Sequence, residues 1–217
     1  ERCEFFPRED LLAEVKTALA AHQPGAIDWV TFVGSGETTL HTGIGWMIEQ
    51  AKRLTDLPVA VITNGSLFYL PEVRAELSLA DAVLPSLDAG NSRLYRKINR
   101  PHPETTFGRL VDGLIAFRNV YQGKLWVEVM LVKGLNDSEP DLKEIAAILT
   151  RIQPDEVHIL QPERPPVETW VQPADHEGLL RARSILGEIA RVIPPATGSF
   201  DMGSAEDLLD AIVGIIT

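Results

Sequence analysis

Cysteine is almost absent: Cys3 is the only one in 217 residues. One thiol excludes an internal disulfide framework, and by itself it cannot hold a zinc ion or an iron–sulfur cluster. Basic residues are also scarce, 20 Lys and Arg against 31 Asp and Glu, for a formal net charge of −11. Polynucleotide binding draws much of its strength from Lys/Arg–phosphate contacts, so nucleic acid is not a favoured partner for so acidic a chain. The densest basic cluster, Arg93, Arg96, Lys97 and Arg100, reads as a solvated helix face. No run approaches the roughly 18–20 apolar residues of a membrane span, and the first ten residues, ERCEFFPRED, contain no apolar stretch of signal-peptide length. A cytoplasmic location without a membrane partner is therefore expected. With 45% hydrophobic residues, the chain suffices for one ordinary domain with a substantial core.

Strand-like and helix-like stretches alternate along the chain. Apolar residues at helical spacing predict a helix over Asp10–His22, stopped by Pro24 and Gly25. The β-branched and aromatic run Ile27–Val33 predicts a strand. The same reading gives a helix from about Thr42 to Leu54, a strand Val59–Thr63, a helix Pro71–Leu79 with proline in its first turn, and a strand Ala82–Leu87. A helix Thr106–Tyr121, a strand Leu125–Val132, a helix Glu139–Ile152, a strand Glu156–Leu160 and a helix from about Ala174 to Val192 follow. Five buried-type strands, each followed by a helix, argue for parallel strands with covering helices. An open doubly wound sheet and a partial (βα) barrel fit that count equally. Residues 1–195 are expected to form this core. Residues 196–217 are expected to be a linker, Ala196–Gly203, and a C-terminal helix begun by Ser204.

In parallel α/β folds ligands gather at the carboxyl ends of the strands. Each predicted end here is polar: Gly34-Ser35-Gly36-Glu37-Thr38-Thr39, Thr63-Asn64-Gly65, Ser86-Leu87-Asp88, Lys133-Gly134-Leu135-Asn136-Asp137, and Gln161-Pro162 running into Glu163-Arg164-Pro165-Pro166. Any one of these alone is ordinary turn chemistry; five on one face make a site rich in donors and carboxylates. The glycine loop is not a Walker loop, because Glu37 stands where that loop needs lysine, and Thr39 replaces the third glycine of a dinucleotide fingerprint. A glycine loop with a carboxylate suits an ammonium group instead, as on an amino-acid head group.

The loop Phe32–Thr39 resembles the second-strand motif of radical S-adenosylmethionine (SAM) enzymes, with Thr38 where proline is usual. The segments Pro85–Ala89, Ile98–Pro103, Glu128–Asp137 and Arg164–Pro166 are similar to one subgroup, the Fe–S oxidoreductases related to wyosine-type tRNA-modifying radical SAM proteins. The resemblance covers roughly Phe6 to Val192. It implies a partial (βα)6 TIM-like barrel, here lacking its first strand and cluster loop and ending in a C-terminal helix. It further implies two cofactors, SAM and a [4Fe-4S] cluster, with an electron donor such as ferredoxin or flavodoxin. In such enzymes reductive cleavage of SAM yields a 5′-deoxyadenosyl radical that abstracts hydrogen from the substrate.

Carried onto this chain, the resemblance assigns the SAM amino group to Gly34, Ser35, Gly36 and Glu37, and the carboxylate and ribose to Thr63, Asn64, Ser86 and Asp88. Lys133 and Asn136 would meet SAM or substrate, and Gln161 the adenine. The Cys-x3-Cys-x2-Cys segment of the family does not occur, so the sequence reads as a fragment beginning just after the cluster loop, with no metal ligand of its own. Two alternatives accompany the radical SAM reading. One is a non-catalytic degenerate barrel serving as a binding or partner module; the other is an aldolase-like enzyme with a Schiff-base lysine at Lys133. The substrate class (small molecule, protein or tRNA) is left open.

Overall fold

In a computed structural model, residues 1–194 and 213–216 are described, apart from residues 24, 35, 163–167 and 169. The elements run α1 (Arg8–Ala21), β1 (Trp29–Phe32), a 3-10 turn (Thr38–Leu40), α2 (Ile44–Leu54), β2 (Val59–Thr63), α3 (Pro71–Leu77) and β3 (Ala82–Pro85). They continue with α4 (Ser92–Ile98), α5 (Phe107–Arg118), β4 (Lys124–Met130), α6 (Glu139–Ile152), β5 (Glu156–Leu160), α7 (His176–Leu186), β6 (Ala190–Val192) and β7 (Val213–Ile216).

Local chemistry sets the boundaries. Ser138 caps α6, its hydroxyl accepting from the Asp141 N–H, and Thr106 does the same for α5 through Arg109. Asp175 caps α7 by accepting from the Gly178 N–H at 2.9 Å. Asn91 caps α4, a short helix that the periodicity does not predict.

The strands lie in the order β6-β5-β4-β3-β2-β1-β7, with β1 to β6 all parallel. Each parallel strand sits beside its sequence neighbour, so there is no switch point where the winding reverses. That order decides between the two architectures: a doubly wound sheet has such a reversal, and a singly wound partial barrel does not.

Right-handed crossovers in one direction place the helices on one face. The main core accordingly joins Val30, Phe32, Val61, Val83, Val127 and Ile159 of the strands to buried residues of the helices. Among the described residues the opposite face carries a small apolar cluster, Ala60, Ala82 and Leu84, with Trp29, Ile62 and Trp126 half-buried around it.

Two expectations about the end of the chain are corrected. The helix predicted to reach Val192 stops at Leu186, because Gly187 takes φ 92° and lets the chain turn back to pair β6 with β5. The C-terminal helix expected over 204–217 is not formed at Val213–Ile216, which instead pairs antiparallel with β1 as β7. A Val-Gly-Ile-Ile segment is better suited to a strand than to a helix. The expected linker over 196–203, and residues 204–212 after it, lie outside the described residues.

Gly90 follows the β3 end, where α6 comes closest to the chain. A Cβ there would stand 2.3 Å from the Glu144 Cβ and 2.7 Å from its backbone carbon. Gly90→Ala is expected to cost about 1–3 kcal/mol by overpacking a helix backbone that cannot give way, measured as a lower urea midpoint with an unchanged slope.

Candidate functional site

The glycine loop and the β2 end are joined by one carboxylate. Glu37 Oε1 accepts from the Thr39 N–H at 2.9 Å and from the Thr63 hydroxyl at 2.5 Å, and the Thr39 hydroxyl also donates to it. Its Oε2 accepts from the Asn64 N–H at 2.7 Å. Thr63 is buried and receives the Gly65 N–H at 3.1 Å, so it is a bridge between loop and strand, while Asn64 is exposed. Arg2 holds the same loop from outside: its Nε donates to Thr39 O at 2.8 Å, and its guanidinium pairs with Glu76.

Two cavities flank the loop. One, of about 500 Å³, is lined by Glu37 and Asn64 together with Arg2, Tyr95, Asn99 and His102. The other, of about 300 Å³, is apolar and lies against Gly34, Gly36 and Glu37 on one side and Phe5, Phe6 and Met47 on the other. A Cβ built at Gly36 would meet nothing within 4 Å, so the backbone there is open to close approach by a ligand. Ser35 lies outside the described residues.

Other predicted site residues are bonded within the chain or lie away from the two cavities. Asp88 is buried, with Oδ1 accepting from the Met130 N–H at 2.8 Å and Oδ2 from the Asn99 amide at 2.7 Å. Burial pushes its carboxyl above the ordinary range, against the lowering effect of those two donors. Asn136 is fully buried; its oxygen accepts from Val132 N–H, and its amide donates to Asp88 O and Met130 O, each at 2.8 Å. It therefore ties the chain after β3 to the end of β4, with its amide engaged at both its oxygen and its nitrogen.

Ser86 is half-buried at the β3 end, bridged to Glu128. Gln161 is turned to the chain before α7, donating to Ala174 O at 2.6 Å. Lys133 is exposed and paired with Asp175 at 2.9 Å. That hydrogen bond and the Asp175 charge raise the ammonium pKa, whereas a Schiff-base lysine needs it lowered. Neither cavity is lined by Ser86, Asp88, Lys133, Asn136 or Gln161.

Two groups of residues went unassigned at the sequence level. Tyr95, Asn99 and His102 enter the larger cavity from α4 and the segment after it. For Asn99 and His102 the signal was the Ile98–Pro103 stretch, given no site role there; Tyr95 precedes it. Glu128, at mid-strand in β4, has a carboxyl pushed up to about 7, first by burial and then by the Asp88 charge. Strand alternation sets it on the helix-free face with Trp126 and Met130. Among the described residues no three His, Cys, Asp or Glu side chains are arranged to hold a metal, and no helix is long and apolar enough to cross a membrane.

Solved structures share this architecture. A domain of pyruvate-formate lyase-activating enzyme from Bacteroides vulgatus superposes with a TM-score of 0.59 at 20% identity, covering 76% of this chain and 98% of that one. A radical SAM methyltransferase from Sphaerobacter thermophilus gives 0.60 at 19% identity, covering 87% and 57%. The SuiB protein of Streptococcus suis, solved with S-adenosylmethionine, gives 0.60 at 16% identity over 78% and 37%.

The chain belongs to the radical SAM superfamily, whose family model matches residues 2–146. Among relatives by sequence, a protein named GTPase Obg from Brachyspira hyodysenteriae is 36% identical over 96% of this chain and 32% of its own length. A UPF0026 protein from Methanocaldococcus jannaschii is 32% identical over 87% of this chain and 59% of its own length. A UPF0026 protein from Helicobacter pylori is 36% identical over 75% and 52%. The chain thus spans between about a third and three fifths of the length of these relatives.

Two outcomes test this description. Asn136→Ala leaves Val132 N–H, Asp88 O and Met130 O without their partner. A loss of roughly 3 kcal/mol is expected in urea unfolding, since each buried unpaired group costs about 1–3 kcal/mol.

The second concerns pH. Glu128 binds its proton more tightly folded than unfolded, so the stability it contributes is full below its ordinary value of 4.5 and is lost as pH rises through about 7. Stability is expected to fall by up to about 3 kcal/mol across that window, and Glu128→Gln to remove most of the slope. Asp88, raised in the same direction, keeps the remainder.

Proposed function

We propose that this chain is the SAM-binding core of a radical SAM enzyme, an Fe–S oxidoreductase-like protein acting on a substrate yet to be identified. The observation that carries the reading is the Glu37 junction. One carboxylate fastens the glycine loop to the β2 end and forms part of the wall of a polar cavity of about 500 Å³, within the roughly 300–1,000 Å³ of small-molecule sites.

The residues present fit SAM. Glu37 Oε2 accepts only the Asn64 N–H and has a lone pair left for an ammonium hydrogen. The Gly36 backbone is open to close approach, and the exposed Asn64 amide is placed for a carboxylate or hydroxyl. Gly34, Gly36, Glu37 and Asn64 would bind SAM, with Thr63 holding Glu37 in position and Ser86 next to them at the β3 end. When bound, SAM supplies the carbon–sulfur bond whose cleavage starts radical chemistry; the protein orients it and excludes water.

The residues do not fit a [4Fe-4S] cluster, because the chain has a single cysteine, Cys3, exposed beside the loop. No step through a cluster is derived from these residues. The alternative reading is a non-catalytic barrel that serves as a binding module, and iron binding by the full gene product separates the two. A soluble electron donor and a cytoplasmic setting belong to the first reading.

The deciding experiment is anaerobic iron–sulfide reconstitution of the full gene product, with EPR of the reduced protein before and after SAM. A reduced-cluster signal that SAM perturbs is expected; a protein that binds neither iron nor SAM would leave the binding module. Glu37→Gln is expected to weaken SAM at least about tenfold, or about 1.4 kcal/mol, by calorimetry. An unchanged affinity would remove Glu37 from the site.

A further inference from the structure

Glu37 can meet an ammonium group only while its carboxylate stays where the turn after β1 holds it. The residues that fix that turn therefore decide what the site selects. Glu37 caps the 3-10 turn Thr38–Leu40, and the N–H and hydroxyl of Thr39 both donate to its Oε1. The other side of Thr39 is held by Arg2, whose Nε donates to the Thr39 carbonyl at 2.8 Å. Thr39 is fully buried, so water has no access to replace these contacts.

Arg2 is in turn anchored from two directions. Its Nη2 pairs with Glu76 of α3, and the Arg2 side chain is only 14% exposed. Glu76 is hemmed in by α2: a Cβ at Gly45 would stand 3.0 Å from Glu76 Cγ. The backbone after Arg2 runs alongside the turn, with Cys3 N–H donating to Leu40 O and Thr42 N–H to Cys3 O, each at 3.1 Å. His41 adds a further tie. Its Nδ1 accepts from the Gly43 N–H at 2.9 Å, which puts the ring proton on Nε2 as donor to Phe6 O at 3.0 Å.

Arg2 lines the same cavity as Glu37, yet the two are not paired: Glu76 takes the guanidinium charge, and Glu37 accepts from Thr39, Thr63 and Asn64. The Glu37 carboxylate is thus held by neutral donors and keeps its charge for a ligand. The guanidinium fork serves this purpose, since Nε and Nη2 engage the Thr39 carbonyl and Glu76 together, and a lysine ammonium has no such fixed geometry.

We propose that Arg2 is a positioning residue for recognition of an amino-acid head group: through the Thr39 carbonyl it sets the Glu37 carboxylate to receive the ammonium. That the head group is the one of SAM rests on the function proposed above; the hold of Arg2 on Glu37 does not.

The test compares two thioethers on the full gene product after anaerobic reconstitution. S-adenosylhomocysteine and 5′-methylthioadenosine share adenosine and sulfur and differ by the amino-acid head group, so the ratio of their affinities in calorimetry reads that group. Arg2→Met keeps the apolar stem and is expected to shrink the ratio at least about fivefold, with 5′-methylthioadenosine itself held within about twofold. Arg2→Lys keeps the charge without the fork and is expected to fall between; it carries the same test where Arg2→Met does not fold. Hydrogen exchange supplies a readout without ligand. The Asn64 N–H bonds to Glu37, and the Gly65 N–H to the Thr63 hydroxyl that itself donates to Glu37. Peptides carrying these two amides should exchange at least about threefold faster in Arg2→Met, while those of β4 stay unchanged.

An unchanged ratio, both thioethers weakened alike, or unaltered exchange at Asn64 and Gly65 would overturn the proposal. If the wild-type protein binds neither thioether nor SAM while Arg2→Met still speeds exchange at Asn64, the radical SAM reading fails and the hold of Arg2 on Glu37 stands.

Discussion

Where a parallel strand ends, its backbone N–H and C=O groups lose their ladder partners, and those that stay buried must find others. Much of the site end of this protein is arranged by that requirement. Glu37 takes the Asn64 N–H as β2 ends, Asp88 takes the Met130 N–H as β4 ends, and Asn136 satisfies Val132 N–H together with Asp88 O and Met130 O. Asp137 adds the Gly134 N–H at 2.7 Å. The polar residues clustered at the carboxyl ends are therefore first a set of side-chain substitutes for a ladder that has stopped. Their burial separates two kinds of role: Asn136 and Asp88 are enclosed and hold strands in place, while Glu37 and Asn64 do similar work at the edge of a cavity and still face it.

This distinction explains how much was legible in the sequence. The bounds of β2, α6 and β5 follow directly from apolar periodicity, with Ser138 marking where α6 begins. Short edge elements were not legible. In β6 only three residues form the strand, and apolar residues at helical spacing run on past Gly187, hiding the stop that its backbone makes. The Val213–Ile216 strand gains its conformation from β1, a partner about 180 residues away in sequence, which no local window contains. Barrel and doubly wound sheet were likewise indistinguishable locally, since they differ only in the order in which strands meet.

At the site, the same economy of residue types was the obstacle. Turn formers and ligand binders are drawn from one pool of Gly, Asn, Asp and Ser, so Asn64 and Asn136 look alike in a sequence and differ only in what surrounds them. The Lys133 position shows the same effect for charge: at the level of sequence it is a solitary lysine at a strand end, whereas in the fold α7 brings Asp175 to it. Glu128 was missed for the opposite reason. It belongs to no loop, and the apolar residues around it in Trp126-Val127-Glu128-Val129-Met130 made it look incidental. Strand alternation alone separates it from Val127 and Val129, which are buried against the helices, and groups it with Trp126 and Met130.

The two faces of the sheet then divide the labour. The helix-side face is closed by a continuous apolar core, which fixes where each strand ends and hence where the bracket residues stand. Among the described residues the opposite face carries no helix and few buried side chains, so it contributes little to stability and can carry costly groups. Half-burying the Glu128 carboxyl is such a cost: desolvation first, and then the Asp88 charge, push its pKa up to about 7. A sheet stabilised almost wholly from one side can bear that penalty at its centre without losing its fold.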